Sequence, residues 1–295
     1  TGEEVATFNK LQEDIREAGV DISCDFVSAV LELSEPTLDD TMPDTERLAL
    51  AAQDAFDGCT EVKLTYHTVK KLAKTLRDAN FKVQIAGTLD MGVLTVMDVT
   101  GKLDAPMIGC AIDIGTTTVT GVLLNLETGE VVAKASSGNG QIRYGADVIN
   151  RIVEQSKPGG VKRLQDAILK ETLLPLVAAM CKSAGVPVSR VFRVCIASNT
   201  TMNHLLLGVD ADPVRMEPYI PTFFQWRGMV AKDLGFVANP DAEVLVAPNI
   251  GSYVGGDITA GTFASLIWNK DEFSLFIDLG TNGELVFGNR DFMMS

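Results

Sequence analysis

The chain has 295 residues, 46% of them hydrophobic, with 25 Lys and Arg against 39 Asp and Glu, a net charge of −14. That acidity argues against a nucleic-acid partner held by charge alone. The longest apolar stretch, residues 173–181, falls far short of the ~18 residues of a membrane span, so no membrane segment is expected.

At roughly 100–200 residues per domain, the length corresponds to two or three units. Val5, Phe8, Leu11 and Ile15 recur at helical spacing on a thin stripe, which predicts a linker helix over residues 1–20. Residues 21–104 read as a small α+β middle domain. Its predicted elements are a strand at 27–33, helices at 44–56 and 66–78 with Asp44 and Thr65 as N-caps, and strands at 82–86 and 92–99. The stretch 102–106, ending in Pro106, reads as a hinge.

At Met107 the rhythm changes. Strands are predicted at 108–114, 119–125 and 130–136, helices at 146–155 and 161–184, a strand at 191–197 and a helix at 201–207. A Pro-rich loop at 212–221, a strand at 243–247 and a helix at 257–268 follow. A three-strand meander followed by alternating strands and helices predicts an α/β unit with a mixed sheet covered on both faces.

Five cysteines, Cys24, Cys59, Cys110, Cys181 and Cys195, lack the short spacings of zinc or iron–sulfur sites. They read as reduced thiols of a cytoplasmic protein, most of them in apolar settings. His67 has no company that suggests chemistry, and His204 reads as a packed, hydrogen-bonded helix member. Met91, Met97, Met180 and Met202 read as core residues.

One phrase occurs twice, as Ile112-Asp113-Ile114-Gly115-Thr116-Thr117 and as Ile277-Asp278-Leu279-Gly280-Thr281-Asn282. Each follows an apolar strand and precedes another. An Asp at a strand end can hold a Mg²⁺-bound water or orient an attacking one, glycine lets the turn approach a phosphate, and Thr hydroxyls and backbone N–H groups donate to phosphate oxygens. One copy is compatible with an ordinary turn; two copies in the same context indicate loops that grip a polyphosphate from both sides. Between them, residues 248–257 form a Gly-dense loop in which Asp257 reads as a helix cap, with Gly255 and Gly256 permitting close packing against a neighbouring helix at a hinge.

This order of first phosphate loop, Gly-rich connecting helix and second phosphate loop resembles the ATPase core of actin, heat-shock chaperones and sugar kinases. The stretches 138–152, with Gly138-Asn139-Gly140-Gln141 and Arg151, 198–208, with Asn199-Thr200-Thr201-Met202, and 31–40, with Asp44 and Arg47, are similar to the reductive activators of corrinoid proteins. The resemblance implies a ribonuclease-H-like, actin-type first ATPase subdomain over 107–272 and the start of a second over 273–295. It implies ATP and Mg²⁺ as cofactors, with Asp113 and Asp278 flanking the metal and the attacking water. Gly115, Thr116, Thr117, Thr118, Gly280, Thr281, Asn282 and Gly283 would cradle phosphates, and Gly255 and Gly256 of the connecting loop, with Asn199 and Thr200 on the floor, would complete the cofactor-binding set.

Family members couple ATP hydrolysis to reduction of an inactive Co(II) corrinoid protein to Co(I). The electron comes from an iron–sulfur cluster in a ferredoxin-like domain whose cysteines are not in this sequence. The implied partner is a corrinoid protein, with the α+β unit docking it or forming a homodimer. Members continue into an adenosine-holding segment after the second loop, so residues 1–295 alone are expected to show no turnover, with 273–287 loosely attached. A small-molecule kinase and a nucleotide-dependent scaffold are the rival readings.

Overall fold

The computed structural model describes residues 2–22 and 24–295; the side chains of residues 2–5 lie outside the description, including Val5 of the predicted stripe. Helix α1 (Gly2–Glu17) buries Ile15, and Gln12 Nε2 donates to Gly129 O at 3.2 Å.

The α+β unit contains β1 (Phe26–Glu32), α2 (Asp44–Ala55), β2 (Glu61–Leu64), α3 (Tyr66–Asp78), β3 (Lys82–Asp90) and β4 (Val93–Thr100). Its four-stranded sheet has the order β1-β3-β4-β2, antiparallel except for the parallel β2–β4 pair. Leu48 and Ala52 of α2 and Leu72 and Leu76 of α3 meet Val83, Ile85, Leu94 and Val96 on one face. Thr65 caps α3 as expected, its Oγ1 accepting from Thr68 N at 3.3 Å. Asp44 does not cap α2. Pro43 occupies the N-cap position, and the Asp44 carboxylate accepts instead from Arg77 at 2.7 Å. Met91 is also not a core residue: it stands exposed in the β3–β4 turn, whereas Met97, Met180 and Met202 are buried.

The second face of the sheet is buried as well. Phe26, Ala86 and Met97 pack on Met107 and Phe192 of the next unit. The stretch predicted as a hinge is held on both sides. Ala105 and Gln84 exchange two hydrogen bonds at 2.8 and 3.1 Å, and the buried Arg190 donates to Ala105 O and Pro106 O and pairs with Asp98.

The second unit begins with the meander β5 (Ile108–Ile114), β6 (Thr118–Asn125) and β7 (Val131–Gly138). Helices α4 (Val148–Gln155), α5 (Gly160–Ile168) and α6 (Leu174–Ala184) follow, then β8 (Val191–Ser198), α7 (Thr200–Leu207), the single turns α8 (Asp212–Arg215) and α9 (Ala231–Leu234), β9 (Glu243–Val246) and α10 (Gly256–Ala264). The five-stranded sheet has the order β7-β6-β5-β8-β9; the meander pairs are antiparallel and the last two pairs parallel. The helix expected over 161–184 contains a π turn at Leu169–Leu173. Pro175, in the first turn of α6, has no N–H to continue a regular ladder. Helix α10 ends earlier than expected, because Leu266 turns left-handed at φ 58°.

Cys110, Ile112 and Ile114 of β5 face a core shared with Leu164, Leu173, Val177 and Leu205. Strand alternation therefore puts Asp113 on the opposite face. Of the cysteines, only Cys110 and Cys181 are buried; Cys24 and Cys195 are exposed, which corrects the expectation of mostly apolar settings.

A three-stranded sheet, β10 (Ser274–Leu279), β11 (Gly283–Gly288) and β12 (Met293–Met294), follows α10. It is anchored: Phe276 packs so closely on Gly261 that an added Cβ there would lie 2.4 Å from the ring, and Asn289 Nδ2 donates to Asp271 O at 2.9 Å. Its other face exposes Leu275, Leu279 and Phe287.

Candidate nucleotide site

Asp113 is the penultimate residue of β5, and the chain turns back into β6 through Gly115, Thr116 and Thr117. Gly115 N donates to Thr118 O at 2.9 Å, and a Cβ on Gly115 would lie 2.7 Å from that oxygen, so the turn needs glycine. All three carbonyls of the turn are taken by interior donors. Asn139 Nδ2 donates to Gly115 O at 2.9 Å, Arg151 to Thr116 O, and Asn139 N to Thr117 O at 2.8 Å. In a trans peptide the N–H points opposite to the C=O. Anchoring these carbonyls inward therefore aims the N–H groups of Thr116, Thr117 and Thr118 away from the core.

The second loop stands against the first. Thr117 Oγ1 and Thr281 Oγ1 are 3.1 Å apart, and Gly280 N donates to Asn282 O at 3.0 Å to close the β10–β11 turn before Gly283. Asp113 and Asp278 lie close enough to interact electrostatically. Asp113 keeps a solvent-exposed edge, yet it is pushed up to about 6, first by desolvation from the protein packed around its carboxyl, then by Asp257, then by Asp278.

Asp257 does not cap α10. Gly255 is the N-cap, and Asp257 Oδ1 accepts from Ile258 N at 2.9 Å. Its carboxyl is raised chiefly by burial, with Asp278 adding to it, and burial followed by Asp257 and Asp278 raises Glu284. Gly255 and Gly256 make this convergence sterically feasible: an added Cβ would lie 2.4 Å from Asn199 Cα in the first case and 2.5 Å from Ala247 O in the second.

Asn199 and Thr200 stitch loops together. Asn199 caps α7 through Met202 N at 2.8 Å and reaches Thr116 Oγ1 at 3.5 Å; the buried Thr200 donates to Gly251 O at 2.6 Å. Beneath them Ser198, Asn203 and Asn249 form a buried chain that ends on Gly256 N. His204 is the packed helix member expected. Its Nδ1 donates to Thr200 O at 2.8 Å, its Nε2 accepts from Thr222 N at 3.2 Å, and its ring stacks on Phe223. Burial lowers its pKa, so the ring is neutral.

Five residues of the site escaped assignment from sequence: Asn139, Arg151, Asn203 and Asn249, with Asp257 given a different role. Asn139, Arg151 and Asn203 lie in the stretches that carry the family resemblance, which was the available signal; no local pattern marked Asn249. A cavity of about 710 Å³ opens beside Asp113, lined also by Thr120, Cys195, Trp226, Arg227 and Ala260.

Among the described residues no three His, Cys, Asp or Glu side chains cluster to hold a metal directly. Mg²⁺ needs no such cage, since it keeps several waters and takes one or two carboxylates plus phosphate oxygens. Outward-aimed N–H groups, a turn without room for a Cβ and carboxylates at strand ends fit a Mg²⁺–polyphosphate.

The mixed sheet with its antiparallel meander, flanking helices and paired loops is the fold of the actin-like ATPase and sugar kinase class. The family descriptions of the RACo linker region and the RACo middle region match residues 15–104 and 108–270, and the chain belongs to the RACo family. It is similar to the corrinoid activation enzyme RamQ of Eubacterium limosum, at 33% identity over 189 residues, 64% of this chain and 31% of that one. It is also similar to the solved structure of a reductive activator for corrinoid, iron–sulfur protein, at 35% identity and a TM-score of 0.76, over 95% of this chain and 46% of that one. The chain thus spans less than half the length of either relative.

Proposed function

We propose that this chain contributes both phosphate loops to an ATP- and Mg²⁺-dependent, cytoplasmic activator that returns a Co(II) corrinoid protein to Co(I). The observation that carries the reading is the contact between the two loops, Thr117 against Thr281, with Asp113, Asp257 and Asp278 beside it. The relatives support the corrinoid protein as partner, because one is named a corrinoid activation enzyme and the other a reductive activator.

In this reading the N–H groups of Thr116 to Thr118 and the Thr117 and Thr281 hydroxyls donate to phosphate oxygens. Asp113 and Asp278 hold the waters around Mg²⁺, which when bound neutralises phosphate charge, and Asp278 accepts a proton from the attacking water. The iron–sulfur centre that would supply the electron does not fit these residues: Cys110 and Cys181 are buried in the core and the other three cysteines are scattered. The cavity beside Asp113 favours, as a second reading, a small-molecule kinase; phosphate transfer to added sugars or hydroxy acids tests that one.

The test is reduction of a Co(II) corrinoid protein, followed by its visible spectrum, with the full-length protein that contains residues 1–295, Mg²⁺ and an artificial low-potential one-electron donor. Co(I) is expected to accumulate faster with ATP than without, and Asp278→Asn should keep nucleotide binding while cutting phosphate release by about two orders of magnitude. Equal Co(I) formation with and without ATP, together with no Mg²⁺-dependent nucleotide binding, would sink the proposal.

A further inference from the structure

Three arginines are buried among the described residues: Arg47, Arg151 and Arg190. Arg47 pairs with Asp40 and Arg190 with Asp98, whereas Arg151, which is fully buried, has no carboxylate among its partners. Its fork donates to Thr116 O, to Gly145 O at 2.9 Å, to Gln141 Oε1 at 3.5 Å and to Met202 Sδ at 3.2 Å. The nearby Asp147 is committed elsewhere, with one oxygen capping α4 through Asn150 N and the other on Asn150 Nδ2, both at 2.8 Å.

Burial lowers the guanidinium to about 10, with Asp147 opposing, so it stays charged at neutral pH. A buried cation without a counter-ion is costly, and neutral acceptors offset only part of that cost. The local geometry runs from the guanidinium to the outer face of the first loop. The carbonyl that Arg151 grips is that of the Thr116–Thr117 peptide, whose N–H points the opposite way, on the residue that touches Thr281. A hydrogen bond from a cation to a peptide oxygen polarises the peptide and strengthens its N–H as a donor.

We propose that Arg151 is a positioning residue that serves as the fixed, buried counter-charge of the first phosphate loop, acting through the Thr116–Thr117 peptide on an anionic phosphate oxygen at Thr117 N–H. The proposal rests on the reading of that loop as a polyphosphate site. Gly145 belongs to the same device. A Cβ there would lie 2.8 Å from Arg151 N, so glycine lets its carbonyl reach Arg151 Nε.

The experiment is calorimetric titration of the chain with orthophosphate, pyrophosphate and tripolyphosphate in the presence of Mg²⁺, for the wild type, Arg151→Lys and Arg151→Met. Arg151→Met should lose about tenfold or more in tripolyphosphate affinity and progressively less for the smaller anions, because a Coulombic contribution scales with ligand charge. Arg151→Lys should lie between wild type and Arg151→Met at pH 8 and recover towards the wild-type tripolyphosphate-to-orthophosphate ratio at pH 6, because a lysine buried without a counter-ion gives up its proton readily and regains it as pH falls. A merely structural arginine would depress all three ligands equally, and that result overturns the proposal. Should Arg151→Met not fold, Arg151→Lys decides alone, a tripolyphosphate-to-orthophosphate ratio that equals the wild type's at both pH values being the overturning result. A wild type that binds none of the three anions overturns the polyphosphate reading itself, and the proposal with it.

Discussion

Thr117 and Thr281 are separated by 164 residues, yet their hydroxyl oxygens lie 3.1 Å apart. The first sits on the turn after β5 and the second on the turn after β10, so the contact joins two sheets that share no strand. It is an exposed hydrogen bond, and such bonds contribute about 1 kcal/mol net. Thr281→Val should therefore speed amide exchange across residues 274–288 roughly fivefold, read by hydrogen exchange with mass detection. Unchanged exchange would mean that the packing of Phe276 against α10 and the Asn289 bond to Asp271 O suffice to hold the hairpin.

Asp113 yields a pH prediction with a definite sign. Its folded pKa is raised to about 6 from 3.8, first by desolvation and then by Asp257 and Asp278. Between those values the folded state holds a proton that the unfolded state has released. The carboxyl thus penalises the fold above pH 6, and the penalty fades as pH falls from about 6 towards 4. Asp113→Asn should raise the melting temperature more at pH 8 than at pH 4.5, read by scanning calorimetry; an equal or inverted difference contradicts the assignment. In the wild type, Mg²⁺-dependent ligand binding should weaken as pH falls through 6.

Arg190 joins the two units. Its side chain and that of Asp98 are both buried, and the pair is extended by Lys71 on one side and by Ala105 O and Pro106 O on the other. Removing one partner of such a pair costs about 3–5 kcal/mol, because the remaining charge is left buried. Arg190→Met should lower the urea midpoint markedly and separate the unfolding of residues 26–100 from that of 108–246. A single transition at the wild-type midpoint would show that Phe26, Met97, Met107 and Phe192 suffice to hold the units together.

Gly255 and Asn199 test the packing beneath the cleft separately. Gly255→Ala puts a methyl 2.4 Å from a backbone atom that cannot yield, whereas Asn199→Ala removes a cap from α7. The cap is worth about 1 kcal/mol. Asn199→Ala should therefore cost about that much in denaturant titration, Asn199→Asp much less, and Gly255→Ala more than either, with loss of ligand binding. Gly255→Ala at wild-type stability would show that the loop can move away from α7.

Local pattern carried much of the fold. Ile108 to Ile114 alternates and is bounded by turn residues, so β5 follows from sequence, as do the Thr65 cap and the duplicated loops, because each depends on neighbours a few residues away. β2 escaped because it has only four residues, Glu61–Leu64, of which Val62 and Leu64 turn half-buried towards the core, too short an alternation to mark a strand, and Met91 misled because hydrophobicity alone does not exclude a residue from a turn. Asp257 and Asp44 sit next to helix starts, where sequence allows capping, but backbone geometry gave the cap positions to Gly255 and Pro43. What tertiary structure alone decided is which distant groups meet. Arg151 grips a carbonyl 35 residues earlier, Arg190 a carboxylate 92 residues earlier, and the two duplicated loops face each other across 164 residues. Periodicity reports which face of a segment is buried, whereas the partner waiting on that face is set by sheet order and by close packing between elements, neither of which is encoded within one segment.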